Sequence, residues 1–372
     1  MSRFFLESGT GPIPGEHYLT SRPGEVQWGW LPNRDTAPVL KVLSGETVTI
    51  DTVSHEGLME DQGSDPVAYL AQFGVARDQV LTDVQTISRE VARDPDDGPH
   101  VVTGPITVEG AEPGDLLKID ILSLDLRAPY GFISSRHGFG ALPDEFPDPE
   151  GSEYLRDIDR IAAPTTISHF SQVVDDGGAL TGVMDAGHDR TLHFPLSPFL
   201  GLMGVAPDTS SPVPSIPPGD HGGNIDIKEA TAGTTLYLPV QTAGAGFYVG
   251  DPHFAQGNGE VALTALEAPL RATVRLTVIN AKDAARHAGL LKNPFLETPT
   301  HWIPSGMDAD LNEAMRQAVR NAVIFLNTHL GVPRQAAMAY LSAASDFEIS
   351  QVVDDVKGVH CKIRKADFAH WS

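Results

Sequence analysis

The chain has 372 residues, 41% of them hydrophobic and 20% charged, a balance that fits folded globular protein and excludes a disordered chain. Its 26 Lys and Arg stand against 49 Asp and Glu, and the net charge of −23 argues against nucleic acid or an anionic membrane surface as partner. The one cysteine, Cys361, excludes an internal disulfide framework, and no run of about eighteen apolar residues is present to span a bilayer.

Met1–Glu7 lacks the long apolar segment of a signal peptide, so the expected compartment is the cytoplasm. Glycine (36) and proline (29) are spread evenly and punctuate many short strands, which predicts a mostly β protein. Residues 37–43 and 45–51 read as strand, turn, strand. In the second, Val48 and Ile50 alternate with Thr47, Thr49 and Asp51, the pattern of a half-buried strand. It delivers Asp51 and His55 to a loop at its end, where side chains on a rigid scaffold often serve a site; a solvated loop fits the same residues.

Helices are predicted over 66–73 and 78–92, with the carboxylates around them as solvated faces. After the Pro113-Gly114-Asp115 turn, residues 116–124 alternate as a strand. His137, beside Arg136 in the next loop, is a substrate-binding candidate or a structural histidine. The acidic, proline-bearing stretch 144–160 is expected to be a surface excursion. A strand over 190–194 and an apolar, glycine-bearing run over 198–207 follow, with His169 and His193 as weaker ligand candidates.

The stretch 220–260 concentrates chemistry. It opens with Asp220-His221-Gly222-Gly223-Asn224-Ile225-Asp226 and closes with Gly250-Asp251-Pro252-His253, then Gln256-Gly257-Asn258-Gly259-Glu260. Imidazoles and carboxylates are the ligands of Zn²⁺ and related ions, and glycines let backbone close around a small site. In an ideal strand, Asp251 and His253, two apart, would share a face. Metal binding and ordinary glycine-rich turns with polar residues both fit this stretch.

Strands are expected at 261–267 and 270–279. From 308 to 330, Leu311, Met315, Val319, Ala322, Val323 and Leu326 recur at three- and four-residue intervals, an amphipathic helix that Gly331-Val332-Pro333 ends. A second helix over 334–344 and strands over 347–353 and 359–365 finish the chain, with Cys361 in the core. The fold class is therefore mainly β, a β-sandwich or barrel-like body over 1–280, with an α+β C-terminal module over 281–372. Within the body, two β subdomains would meet near 125–165. No G-x-S-x-G, no P-loop and no G-x-G-x-x-G after a strand is present, so metal-assisted chemistry also survives by elimination.

These stretches resemble the acetamidase/formamidase family over nearly the whole length. The resemblance is carried by Gly104-Pro105, Val108-Glu109-Gly110-Ala111-Glu112-Pro113-Gly114-Asp115, Gly204-Val205-Ala206-Pro207 and His221-Gly222-Gly223-Asn224-x-Asp226. It continues in Leu238-Pro239-Val240, Gly244-Ala245, Gly250-Asp251-x-His253-x-x-Gln256-Gly257-x-Gly259-Glu260, Ala339-Tyr340-Leu341 and Asp346. Asn258 stands where the family pattern has an aspartate. The resemblance implies a metal-dependent hydrolase of short linear amides, releasing carboxylate and ammonia and forming homodimers or higher homo-oligomers, with γ-lactam opening or a bulkier amide as alternatives. A metal- or ligand-binding β protein without turnover is the rival of another class.

On that resemblance the expected ligands of one divalent ion, Zn²⁺ before Ca²⁺, are His221, Asp226, Asp251 and His253. Glu260 is the expected general base, with His55 beside it as a catalytic residue. Asn224, Gln256, Asp51 and His137 are expected to bind substrate.

Overall fold

The computed structural model describes residues 4–147, 166–287 and 292–371, so most of the 144–160 excursion lies outside the described residues. The chain is mostly β, as expected, and two large sheets carry it. The first has nine strands, with Thr47–Asp51, Leu270–Ile279, Leu116–Leu126 and Thr235–Pro239 adjacent in its middle. The second has eleven, among them Val101–Val108, Phe199–Gly204, Gly222–Asn224 and Phe247–Ala255.

The inward side chains of the two sheets meet in one buried cluster. Ile50, Ile119, Leu238, Val274 and Leu276 come from the first sheet, and Ile106, Leu200, Met203, Phe247 and Phe254 from the second. Each large apolar side chain so placed contributes roughly 1.5–3 kcal/mol relative to exposure. The alternation predicted for 270–279 holds where buried Val274 and Leu276 flank exposed Arg275, but from Leu270 to Val274 every residue is buried, Arg271 and Thr273 included.

Two expected elements differ. Of the strand expected over 261–267 only Leu266–Glu267 is extended, because Glu260 and Leu263 adopt positive φ of 46° and 113° and break the run. Conversely, the glycine-bearing stretch around Gly250 is the buried strand Phe247–Ala255. A Cβ on Gly250 would sit 2.8 Å from the Val101 carbonyl oxygen, so this glycine lets two strands approach closely.

The first sheet runs on into the C-terminal residues through Phe295–Glu297, His301–Asp308, Lys357–Arg364 and Asp346–Gln351. Helix Leu311–Leu330 covers this end, capped by the Asp310 carboxylate, which accepts from the Glu313 amide at 3.0 Å. Left-handed Gly331 ends it. Its Ala314, Ala318 and Ala322 face the sheet, and Gly306 leaves no room for a Cβ against the backbone of Ala314 and Ala318.

A four-charge clasp ties the C-terminal strands to the body. The Lys362 ammonium lies 3.2 Å from both Glu229 and Glu348, and His360 Nε2 lies 3.2 and 3.6 Å from the same carboxylates. Burial raises the Glu229 pKa, but the His360 hydrogen bond and the two cations outweigh it and bring it to about 2. The His360 hydrogen bond likewise brings Glu348 to about 2. Both carboxylates are depressed from an ordinary 4.5, so their stabilisation is complete above pH 4.5 and is lost as pH falls toward 2. The destabilisation caused by Lys362→Met, followed by urea unfolding, should therefore be full above pH 4.5 and shrink as pH falls toward 2.

Candidate active site

Three carboxylates of the 220–260 stretch share an uncommon backbone. Asp226, Asp251 and Glu260 have φ of 48°, 47° and 46°, in the left-handed region that non-glycine residues avoid. Such strain persists where the surrounding fold over-determines it, and it clusters at sites. Gly201 stands at the centre of this arrangement. Its carbonyl accepts from the Ile225 and Asp226 amides at 3.0 and 3.1 Å. A Cβ there would meet Asp226 Oδ1 at 2.5 Å, His253 Cε1 at 2.7 Å and Asp251 Oδ2 at 2.9 Å. Gly201→Ala should therefore displace the three side chains and cut turnover at least ~10²-fold, the scale of an ~1 Å misplacement, in a chain whose circular dichroism is unchanged.

Asp251 joins two separate groups of side chains. Its Oδ1 lies 3.7 Å from His55 Nδ1 and 3.7 Å from His100 Nε2. Its Oδ2 lies 3.0 Å from His253 Nε2, which is itself 2.9 Å from Glu267 Oε1. All five side chains are buried. In each of the trios His55–His100–Asp251, Asp251–His253–Glu267 and Asp226–His253–Glu260, one ligand atom per residue lies within 4.8 Å of the others.

Hydrogen bonds decide which nitrogens are free. His100 Nδ1 is 3.1 Å from the Ser215 carbonyl, which only accepts, so Nδ1 carries the proton and Nε2 presents its lone pair to Asp251. Gln256 Nε2 donates to the carbonyls of Asp226 (3.0 Å) and Ser350 (3.2 Å), which fixes the amide with Oε1 toward His253 Nδ1 at 3.1 Å. His253 Nδ1 is therefore a donor. His55 Nδ1, Asp251 Oδ1, His253 Nε2, both Asp226 carboxylate oxygens and Glu267 Oε2 are buried without a hydrogen-bond partner.

The charges follow from this crowding. Burial lowers the His55 pKa to about 3 and lowers that of His100, keeping both rings neutral and able to ligate. Burial alone would raise Asp251, but the imidazoles of His100, His253 and His55 around it hold its pKa below the carboxylate range, and of these His253 is the one whose own pKa Glu267 and Asp251 raise, against its burial. Burial and then Asp251 raise Glu267 to about 8, and burial followed by carboxylate repulsion raises Asp226 and Glu260. Carboxyl groups in this density call for protons or a cation between them.

The site opens into a cavity of about 500 Å³, lined at its inner end by His55, His100, Asn224, Asp251, Glu260 and Glu267. Asp354 of the C-terminal residues closes the same wall, and burial raises its pKa to about 8. Toward the mouth the lining is Met59, Phe139, Ile216, Leu263 and Val353, with Arg93 and Arg136 held in ion pairs.

Of the residues expected from sequence, the structure gathers His55, Asp226, Asp251, His253, Glu260 and Asn224 here. His221 does not join them. Gly222 and Gly223 both have positive φ (87° and 79°) and turn the backbone, and the His221 ring packs over Gly219 and Gly223 instead. Asp51 is also elsewhere: Arg271 holds it through two hydrogen bonds of 2.6 and 3.1 Å, and the Tyr18 hydroxyl donates to it at 2.6 Å. Gln256 orients His253 and does not line the cavity, and at the 136–139 loop Arg136 and Phe139 line it where His137 does not. His169 and His193 lie on the outer strands of the second sheet.

Three residues escaped the sequence reading. Glu267 left a signal, a lone charge in the otherwise apolar run Ala265–Leu270. His100 immediately precedes a strand, a weaker sign. Asp354 sits in an acidic pair with Asp355 that reads as surface.

The Acetamidase/Formamidase family profile matches residues 82–212 and 210–363. A formamidase from Methylophilus methylotrophus is 30% identical over 305 residues, covering 68% of this chain and 73% of that one. An acetamidase from Mycolicibacterium smegmatis is 30% identical over 213 residues, 45% of this chain and 51% of its own. An acetamidase structure from Bacillus halodurans superposes with a TM-score of 0.69 at 27% identity, covering 95% of this chain and 99% of that one. A gamma lactamase from Delftia acidovorans shares the fold at a TM-score of 0.54 and 22% identity, over 94% of this chain and 93% of its own. On the profile match and the Methylophilus relative, the chain belongs to the acetamidase/formamidase family and is an amidohydrolase of linear amides.

Proposed function

We propose that the chain hydrolyses a small linear amide to carboxylate and ammonia, with a divalent ion, Zn²⁺ first, held by His55, His100 and Asp251. The carrying observation is that one ligand atom each of His55, His100 and Asp251 lies within 4.8 Å of the others on the cavity wall, with His55 Nδ1 and His100 Nε2 both 3.7 Å from Asp251 Oδ1. The donor set fits: two neutral imidazoles and an ionised carboxylate suit Zn²⁺, and buried, partnerless His55 Nδ1 and Asp251 Oδ1 are what an absent ligand bond leaves behind. When bound, such an ion lowers the pKa of water and polarises an amide carbonyl.

The chain's own groups supply the rest. Glu260, buried on the cavity wall, would take the proton of the attacking water once a cation nearby offsets the burial and carboxylate repulsion that raise its pKa, and would return it to the leaving nitrogen. Asn224, whose Oδ1 is buried without a partner, accepts from the substrate NH₂ and orients it. The Ser215 carbonyl keeps His100 in its ligating tautomer.

Formamide and acetamide are small for a cavity of about 500 Å³. That excess favours a second reading, in which the amide carries a larger acyl group or is a γ-lactam. Among the described residues no helix is long and apolar enough to cross a membrane.

The test is ammonia release from formamide, acetamide, propionamide and a longer acyl amide, with ring opening of a γ-lactam followed in parallel, before and after chelation, for wild type and His100→Ala. Release that chelation and the substitution both abolish supports the reading, and the best substrate fixes the acyl group. Release that survives both overturns the ion at His55, His100 and Asp251.

A further inference from the structure

We infer a second divalent-cation site on the far oxygen of Asp251, formed with His253 Nε2 and Glu267, so that Asp251 bridges two ions. The inference rests on the cation reading of Asp251 given above and extends it from one ion to two.

Three observations carry it. First, the two oxygens of Asp251 face different groups: Oδ1 looks to His55 and His100 at 3.7 Å each, while Oδ2 looks to His253 Nε2 at 3.0 Å. Second, Gln256 fixes the His253 ring. Flipping that amide would set its oxygen against the carbonyls of Asp226 and Ser350, so Oε1 must accept from Nδ1–H; burial opposes charge on this ring, but Glu267 and Asp251 raise its pKa well above the ordinary value, so it is the Nε2 proton that a cation would displace to meet the lone pair there. That lone pair points at Asp251 and at Glu267, 2.9 Å away.

Third, among the described residues little outside the cluster answers this concentration of electron pairs: the Ala265 amide donates to Glu267 Oε1 at 3.1 Å, and Oε2 is left over. His253 Nε2 and Glu267 Oε2 are both buried and without a hydrogen-bond partner, on side chains exposed by 0% and 2%. Among the described residues the ion-pair neighbours of Asp251, His253 and Glu267 are one another and the histidines and Asp226 already named, with no lysine or arginine. An imidazole with two carboxylates suits Zn²⁺, Mn²⁺ or Co²⁺. Gly201, whose missing Cβ keeps the space beside Asp251 Oδ2 and His253 open, completes the arrangement.

The experiment loads the full chain with Mn²⁺ or Zn²⁺, removes excess ion and counts bound metal per chain, with electron paramagnetic resonance on the Mn²⁺ form. Two ions per wild-type chain and a spin-coupled Mn²⁺ signal are expected. Glu267→Gln should retain one ion with an uncoupled signal, and His100→Ala should retain the other. One ion per wild-type chain, lost in His100→Ala and kept in Glu267→Gln, overturns the second site while leaving the first. No bound ion in the wild type overturns both. Should Glu267→Gln fail to fold, the wild-type count and spectrum decide alone.

Discussion

Asp251→Asn is expected to lower kcat/KM by about three orders of magnitude or more in a chain that still folds. Among the described residues the carboxylate is the ion-pair neighbour shared by His55, His100 and His253. An amide of the same shape offers a weaker ligand on one side and a donor on the other. The loss should exceed the ~10–100-fold typical of a residue that merely supports a ligand. Thermal unfolding with and without chelator supplies the second readout. An ion that binds only the folded state stabilises wild type, so its melting temperature falls on chelation while that of Asp251→Asn stays put. If the variant keeps its turnover, or if it still responds to chelator like wild type, the centre lies elsewhere.

Arg271→Met should destabilise the protein by ~3–5 kcal/mol while leaving the per-molecule rate of the folded enzyme near wild type. Arg271 and Asp51 are both fully buried, and the guanidinium meets the carboxylate through Nε and Nη2 at 2.6 and 3.1 Å. Removing the cation leaves Asp51 charged in the interior, with Arg127 at 3.6 Å as its remaining ion-pair partner. The cost of an uncompensated buried charge exceeds the net contribution of the pair. The double variant Asp51→Asn, Arg271→Met should therefore recover much of the loss. Urea unfolding of the two single variants and the double measures this directly. A single variant that folds normally but fails to bind amide would restore Asp51 to the substrate pocket.

The pattern of success in the sequence reading has a physical cause. Val274 and Leu276 or Leu311 through Leu326 reveal themselves because one face is apolar over several residues, and period alone reports it. Asp226, Asp251, His253 and Glu260 were legible because chemistry-bearing residues stand unusually close among glycines. His100 stands just before a strand far earlier in the chain and Glu267 in the short strand beyond the Glu260 loop, and the pairing of Phe247–Ala255 with Val101–Val108 and Leu266–Glu267 brings them beside Asp251. Asp51 misled for the same reason: its partner Arg271 is across a strand pair, invisible in one dimension. His221 misled because spacing says nothing about the two left-handed glycines that follow it.

The route of the first sheet also makes the pocket depend on the C-terminal strands. Lys357–Arg364 pairs with His301–Asp308 on one edge and Asp346–Gln351 on the other, so among the described residues the latter strand's ladder partner in the sheet is a later strand. Asp346–Gln351 in turn bridges Gly259 through Gln351, supplies the Ser350 carbonyl to Gln256, and leads into Asp354 on the cavity wall. The Glu260 loop and the Asp354 wall are thus buttressed through Lys357–Arg364, a strand that itself contributes no side chain to the cavity lining.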